Sequence, residues 1–318
     1  MQQQKKISWL TLYRKYGIFI IIVVLFAGCA LVSPNFLKTQ NLINILKQIS
    51  VVAIIACGET LLIVSGMIDL SAGYMCAFAG CLCAGTLVAT DSLLLTFIVG
   101  IGSAAVCGYV NGVLITVFSL PPFIATLATG NVMQGITHLY TRSQSIPGME
   151  KLRWLGQGTL FGIPYMVLIL VAVLIMMYVL MRKTKFGLYV YAIGGNEKAS
   201  TAAGVNVNRY KRIFCLLSGA LVGLSGIIIT ARMMSGQPNV GPGYEFDAIT
   251  ATIVGGTSFT GGIGTPICVI TGSIIIGLIS NILNLTNVSS QWQMIVKGVL
   301  IATAVIVDLK TKRVKSSM

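Results

Sequence analysis

Glu59 and Asp69 stand ten residues apart in Gly58–Gly73, a stretch otherwise made of apolar residues, hydroxyl residues and glycines. Buried carboxyls of this kind could hold a cation or a proton, accept hydrogen bonds from a passing solute, or cap a helix. An ionised carboxylate in hydrocarbon costs roughly 2.5 kcal/mol or more, so such groups face protein, water or a pathway. Glycines flank both acids, which predicts a broken helix lining an interior rather than a smooth span facing lipid. The two acids read differently. Asp69 precedes Leu70, Ser71 and Gly73, so its default role is the N-cap of the next helix, with substrate contact or gating as the other reading. Glu59 sits mid-span with no helix start beside it. It is either protonated or paired with a polar group on a neighbouring span, for which Asn111, Asn131 and Asn281 are the candidates. Pathway lining and structural hydrogen bonding both remain open for it.

The elements that position these groups must be membrane helices. Of 318 residues, 55% are hydrophobic and 9% charged, against roughly 25% charged in a soluble domain. Apolar runs recur along nearly the whole chain, and ten spans are predicted near 17–33, 49–66, 71–90, 93–118, 122–140, 164–181, 213–231, 248–260, 266–284 and 291–308. The run at 248–260 is short for a bilayer, as a half-helix would be. The expected fold is an all-α polytopic membrane protein of about ten transmembrane helices, some broken, in two loosely repeated halves. The chain divides into an N-terminal segment (1–16), a transmembrane domain (17–308) and a C-terminal tail (309–318).

The net charge of +14 does not imply nucleic acid. Fifteen of the 22 Lys and Arg fall in three clusters between apolar runs: Lys5 to Lys15, Arg182 to Arg212, and Lys310 to Lys315. That pattern follows the positive-inside rule, placing both termini and the 182–212 loop in the cytoplasm and the 141–163 and 232–247 loops outside. Phe26-Ala27-Gly28-Cys29 resembles a lipoprotein cleavage site, but the long leader and the membranous remainder predict an uncleaved first span. The eight cysteines all lie in apolar segments, and His138 is the single histidine. They are expected to be reduced thiols packed like small hydrophobes, with no metal site. Chemistry on substrate finds no support either: there is no Walker A pattern, no Gly-x-Ser-x-Gly and no nucleophile–base pair. ATP, if used, must bind another chain.

Three further segments carry information. Gly255-Gly256-Thr257-Ser258-Phe259-Thr260-Gly261-Gly262-Ile263-Gly264 is a second apolar run interrupted by glycines and hydroxyls, one in each half of the chain. Paired interruptions of that kind point to a central transport site between repeated halves. Arg232 to Asp247 combines turn residues, Tyr244, Glu245 and Asp247 outside the membrane. Asp247 precedes an apolar run as a cap would, and a docking or gating role for the loop is the other reading. In the cytoplasmic loop, Asn196 to Ala203 predicts a short helix with Asn196 as N-cap and Gly204 as stop. Its small residues suit docking into another protein's groove. Elsewhere Gly100, Gly102, Gly108, Gly112, Gly219, Gly223 and Gly226 recur at helical spacing, as close helix packing requires.

Taken in order, Gly58–Gly73, Gly194-Gly195-Asn196-Glu197 through Val207, Tyr244 to Ile249, Gly255–Gly264 and Ser289 to Gly298 resemble the ribose-type sugar permeases of bacterial ABC importers. The resemblance runs from about residue 33 to 308. It implies an inner-membrane, multi-pass subunit paired with an identical or homologous permease and surrounded by membrane lipid. A tandem ATP-binding subunit carrying ATP and Mg would sit below, and a periplasmic or lipid-anchored sugar-binding protein above. This chain would hold no cofactor. Gly195, Asn196, Glu197, Ala199, Gly204 and Arg209 match the coupling helix that meets the ATPase. Glu59, Asp69, Ser71, Asn111, Gly255, Gly256, Thr257, Ser258 and Asn281 would line the pathway, and Tyr244, Glu245 and Asp247 would serve docking or the gate. Two positions depart from the pattern: Glu59, where many relatives carry an uncharged residue, and Met67, where a second glycine is common. The same class of importer carrying nucleosides or branched-chain amino acids is an alternative. So is a cation-coupled secondary transporter using Glu59 and Asp69 as its ion site.

Overall fold

A computed structural model describes residues 9–316, so Lys5 and Lys6 of the N-terminal basic cluster lie outside the described residues. Helices dominate. Chain order runs α1 (Trp9–Val32), α2 (Thr39–Val64), α3 (Ala72–Thr90), α4 (Leu93–Thr116), α5 (Pro122–Thr141), α6 (Arg153–Gln157), α7 (Tyr165–Lys183), α8 (Lys185–Gly195), α9 (Glu197–Ala202), α10 (Val207–Met233), α11 (Tyr244–Val254), α12 (Cys268–Leu285) and α13 (Ser290–Ser316). Nine of the ten expected spans lie on one of these helices, overrunning its ends by at most two residues, whereas the 248–260 run is helical only to Val254, in α11. Among the described residues, seven are long and apolar enough to cross a membrane: α2, α3, α4, α7, α10, α12 and the Ser290–Leu309 part of α13. α1 begins at Trp9 and α13 runs to Ser316, so helix extends into both expected terminal segments. α1 continues unbroken through Cys29 and packs on α12.

The core forms around α2 and α10, the two most enclosed spans. α10 packs on α4, α2 and α3, and small residues set the distance. A Cβ on Gly219 would lie 2.3 Å from the Ala104 carbonyl oxygen, and one on Gly108 would lie 2.2 Å from that of Cys215. The α4–α10 contact therefore runs backbone to backbone, the small-residue packing that the glycine spacing predicts. α2 meets α11 through hydroxyls: Thr60 Oγ1 and Thr252 Oγ1 both donate to the Ala56 carbonyl, at 2.8 and 3.2 Å. α2 meets α12 through Asn41 and Asn281, whose amides exchange two hydrogen bonds of 3.1 and 2.8 Å. All eight cysteines are free, and seven are buried.

Two connections hold more structure than the sequence predicts. The 141–163 segment contains a turn of 3₁₀ helix (Glu150–Leu152), α6, and an antiparallel pair, β1 (Thr159–Leu160) and β2 (Ile163–Pro164), with Leu160 opposite Ile163. Ile146 and Gly236 exchange two 2.8 Å backbone bonds, tying that segment to the 232–247 segment. The 182–212 segment is not a simple loop with one short helix. It also contains α8, whose start is capped by Thr184 Oγ1 accepting from Gly187 N–H.

Candidate functional site

Both glycine-rich interruptions are real helix breaks. α2 ends at Val64, Ser65 caps its C-terminus, and Gly66 takes φ +83°, a left-handed conformation that terminates helices. α11 ends at Val254, and Gly256, Gly261 and Gly262 all have positive φ before α12 begins. The breaks meet. Gly262 N–H donates to the Val64 carbonyl at 2.8 Å. α8 joins them at the same point. A Cβ on Gly194 would lie 1.7 Å from the Val64 oxygen and 2.9 Å from Gly262 N, so only glycine fits there. Tyr191 on α8 adds a hydrogen bond from its hydroxyl to the Gly264 carbonyl, at 2.8 Å. The segment expected to couple and the two expected to line a pathway thus form one junction.

From this junction α8 leads directly into α9. Asn196 Oδ1 accepts from Ala199 N–H at 2.9 Å, the N-cap bond expected of it, and Gly204 ends the turn at φ +83°. Gly195, Asn196, Glu197, Ala199, Gly204 and Arg209 are all exposed. Glu197 pairs with Lys211 at 2.7 Å, and Arg209 N–H is taken by Asn206 Oδ1 at 3.1 Å. α8, α9 and the Ala203–Val205 turn enclose an open groove of ≈ 390 Å³, lined by residues including Leu188, Ala192, Ala199 and Ala203. An exposed, capped helix with a small-residue face beside an apolar groove suits a protein partner.

The second break is held from the far end of the chain. Asp308 Oδ2 on α13 accepts from Ser258 Oγ at 3.2 Å and from Phe259 N–H at 3.1 Å. Thr257 is buried and its hydroxyl has no hydrogen-bond partner among the described residues. Gly255 is buried too, while Gly256 is exposed. Asp308 was missed from sequence because it ends an apolar run, where an acid reads as the start of a tail.

At the first break the Asp69 expectation needs correction. The N-cap of α3 is Ser71, which makes no side-chain cap bond. Asp69 Oδ1 instead accepts from Ser71 N–H at 2.8 Å and from the Ser71 hydroxyl, closing a turn ahead of the helix. Asn111 on α4 donates its amide to Ser71 Oγ at 2.9 Å, extending the network to a second helix. Glu59 is fully buried in α2, and among the described residues neither of its oxygens has a hydrogen-bond partner. Of its three candidate partners, Asn281 is engaged by Asn41, Asn131 is exposed, and Asn111 faces Ser71 with its Oδ1 unpaired. Asn281 therefore pins α2 to α12.

Glu245 and Asp247 are not surface acids: they are 1% and 5% exposed. Asp247 is not a cap either, since α11 starts at Tyr244 with Gly243 before it. Glu245 accepts from Gly243 N–H at 3.0 and 3.1 Å and packs where Gly73 leaves room. Asp247 pairs with Lys297 on α13 at 2.7 Å. A docking surface would have to be built without these two carboxyls. Beside them, Tyr74, Phe246, Met294 and Lys297 line a cavity of ≈ 420 Å³ between α3, α11 and α13. No group of three or more His, Cys, Asp or Glu that could hold a metal ion occurs among the described residues.

Residues 41–305 match the family model described as "Branched-chain amino acid transport system / permease component". The chain is 40% identical over 311 residues to the ribose import permease protein of Bacillus subtilis (strain 168), covering 97% of each chain. It is 40% identical over 296 residues to the ribose import permease protein of Escherichia coli (strain K12), covering 92% of each. The L-arabinose transport system permease protein of Escherichia coli (strain K12) is 36% identical over 309 residues, covering 96% of this chain and 94% of that protein. No solved structure matches the chain.

Proposed function

This chain belongs to the permease-component family of branched-chain amino acid transport systems, and from that membership we propose that it is the membrane subunit of an ATP-driven bacterial importer for a monosaccharide. Similarity to ribose and arabinose permeases along almost the whole chain supports a sugar over a nucleoside or an amino acid. Its place is the inner membrane, with both termini and α9 on the cytoplasmic side, where the basic residues of the 182–212 segment lie. A tandem ATP-binding subunit with ATP and Mg, a second permease copy or homologue, and an external sugar-binding protein complete the assembly. The outward face of α13, from Ser290 to Leu309, is wholly unburied in the single chain and is available to lipid or to the second permease.

The observation that carries the proposal is the Val64–Gly262–Gly194 junction. α9 is exposed for a partner, and α8 connects it without a linker to both helix breaks. When the ATP-binding subunits close on nucleotide, displacement of α9 carries Gly194 with it, and the backbone contacts pass that motion to Val64 and Gly262. Movement of the breaks opens the path beside Asp69, Ser71, Asn111 and Gly255–Ser258. Tyr244, Glu245 and Asp247, held by Gly243, Gly73 and Lys297, then act as the outer gate.

Co-purification tests this reading. The wild-type chain brings down an ATP-binding subunit, and Glu197→Arg loses it while remaining folded. A chain that transports sugar with no ATP-binding subunit in the membrane contradicts the proposal.

A further inference from the structure

α1 packs on α12, and α13 packs on α11. Between the two pairs lies a cavity of ≈ 540 Å³, within the roughly 300–1,000 Å³ of small-molecule sites. Ile21 and Leu25 of α1, Ile253 and Val254 of α11, and Ile275 and Ile279 of α12 form three of its walls. The fourth is a face of α13 running from Leu300 to Asp308. Two polar side chains reach this lining, and both are engaged. Thr303 Oγ1 donates to the Val299 carbonyl at 2.7 Å, and Asp308 Oδ2 accepts from Ser258 Oγ and Phe259 N–H. A hydroxylated solute would give up its hydrogen bonds to water there and regain few. The lining suits hydrocarbon.

Length and charge decide which hydrocarbon. Leu300 to Asp308 covers eight helical steps, about 12 Å, against about 15 Å for the hydrocarbon of one leaflet. With both termini cytoplasmic, the Asp308 end of the cavity is the end nearer the cytoplasm. Basic residues continue the same helix registers beyond it. Arg14 stands two turns before Ile21 on α1, and Lys312 and Lys315 stand one and two turns after Asp308 on α13. No acid occurs between residues 9 and 25 or between 309 and 318. Basic residues at the cytoplasmic ends of neighbouring spans attract anionic lipid headgroups. A second copy of this chain would bring its own basic clusters to the same level of the membrane, where like charges repel.

We propose that the cavity between α1, α11, α12 and α13 is a lipid-binding site: one acyl chain of an anionic phospholipid of the cytoplasmic leaflet fills it, with the phosphate at the basic ends of α1 and α13. A chain seated there packs against the last turn of α11, directly ahead of the second break, and beside the Asp308 that holds that break. A ligand bound only by the folded chain stabilises it, so anionic lipid raises the stability of this protein. The site does not depend on which solute crosses.

Native mass spectra of the full-length chain in detergent, with phosphatidylglycerol or phosphatidylcholine of identical acyl chains added, test it. The wild type should retain one phosphatidylglycerol about tenfold more tightly than phosphatidylcholine, and phosphatidylglycerol should raise its thermal midpoint. Ile21 and Val307 are 44% and 57% exposed, so Ile21→Trp and Val307→Trp should obstruct the cavity without unfolding the chain. Each should weaken phosphatidylglycerol retention and abolish the rise in midpoint. Lys312→Gln combined with Lys315→Gln should remove the headgroup preference and leave the chain folded. Equal retention of the two lipids by the wild type overturns the proposal, as does retention unchanged in both Trp variants. A lipid-free dimer that Val307→Trp dissociates overturns it as well, and would assign the cavity to a second copy.

Discussion

Gly262 donates its backbone N–H to the Val64 carbonyl across 2.8 Å, joining two helix breaks that lie almost two hundred residues apart in sequence. The bond uses no side chain, and the third participant, Gly194, takes part because it has none. In the proposed mechanism, a displacement of α9 would reach both breaks through backbone, which is stiffer than a path through rotatable side chains.

Gly194 and Gly195 make a paired test of that relationship. A methyl at Gly194 would stand 1.7 Å from the Val64 oxygen, whereas nothing lies within 4 Å of one at Gly195. Gly194→Ala is expected to reduce ATP-coupled sugar uptake about tenfold, a coupling loss of roughly 1.4 kcal/mol, with the ATP-binding subunit still bound. Gly195→Ala is expected to retain uptake within about twofold, a change of roughly 0.4 kcal/mol. Equal effects at the two positions would remove the junction from the coupling path.

Asn41 and Asn281 form a closed amide pair between α2 and α12. Asn281→Ala leaves Asn41 Oδ1 without its donor, while Asn41 Nδ2 keeps the Phe36 carbonyl at 2.9 Å, and should cost about 1–3 kcal/mol, read as a lowered thermal midpoint in detergent. Converting both residues to Ala should cost little more than the first change, and additive losses would mean that the pair does not act as a unit.

Asp308 closes the second break by accepting from Ser258 and Phe259. Asp308→Ala should free the Gly255–Gly264 segment, and a cysteine placed at Thr257, now buried, should react faster with a soluble maleimide in that background. Unchanged reactivity would show that backbone contacts alone hold the segment.

Glu197 and Lys211 make an exposed pair at 2.7 Å, where Glu197 is half exposed. Exposed pairs contribute about 0–1 kcal/mol, so Glu197→Arg should leave the thermal midpoint nearly unchanged. Loss of the ATP-binding subunit without loss of stability assigns Glu197 to the partner surface, whereas unfolding assigns it to the fold.

Hydropathy made the membrane helices legible, because twenty apolar residues in a row admit few other structures. The short helix α9 was legible down to its cap, since Asn196 and Gly204 have local roles that need no tertiary contact. α8 was not. Its sequence, rich in glycine and aromatic residues, has little helical preference alone and depends on packing against α2, α7 and α10. The glycine-rich breaks were foreseen, but not their meeting with Gly194, because a backbone contact leaves no side-chain signature. Asp69 and Asp247 misled for a shared reason: an acid before an apolar run suggests a cap, and each is instead held by Ser71 or Lys297. The Lys297 partner lies fifty residues further along the chain, beyond any local pattern.

In the proposed mechanism, ATP drives sugar movement through this chain by way of α9. Uptake of a labelled aldopentose into proteoliposomes containing the chain, its ATP-binding subunit and the external binding protein tests it most directly. Uptake should require ATP and all three proteins, and should stop when the ATP-binding subunit is omitted. Uptake persisting without that subunit, driven by a proton or sodium gradient, would contradict it.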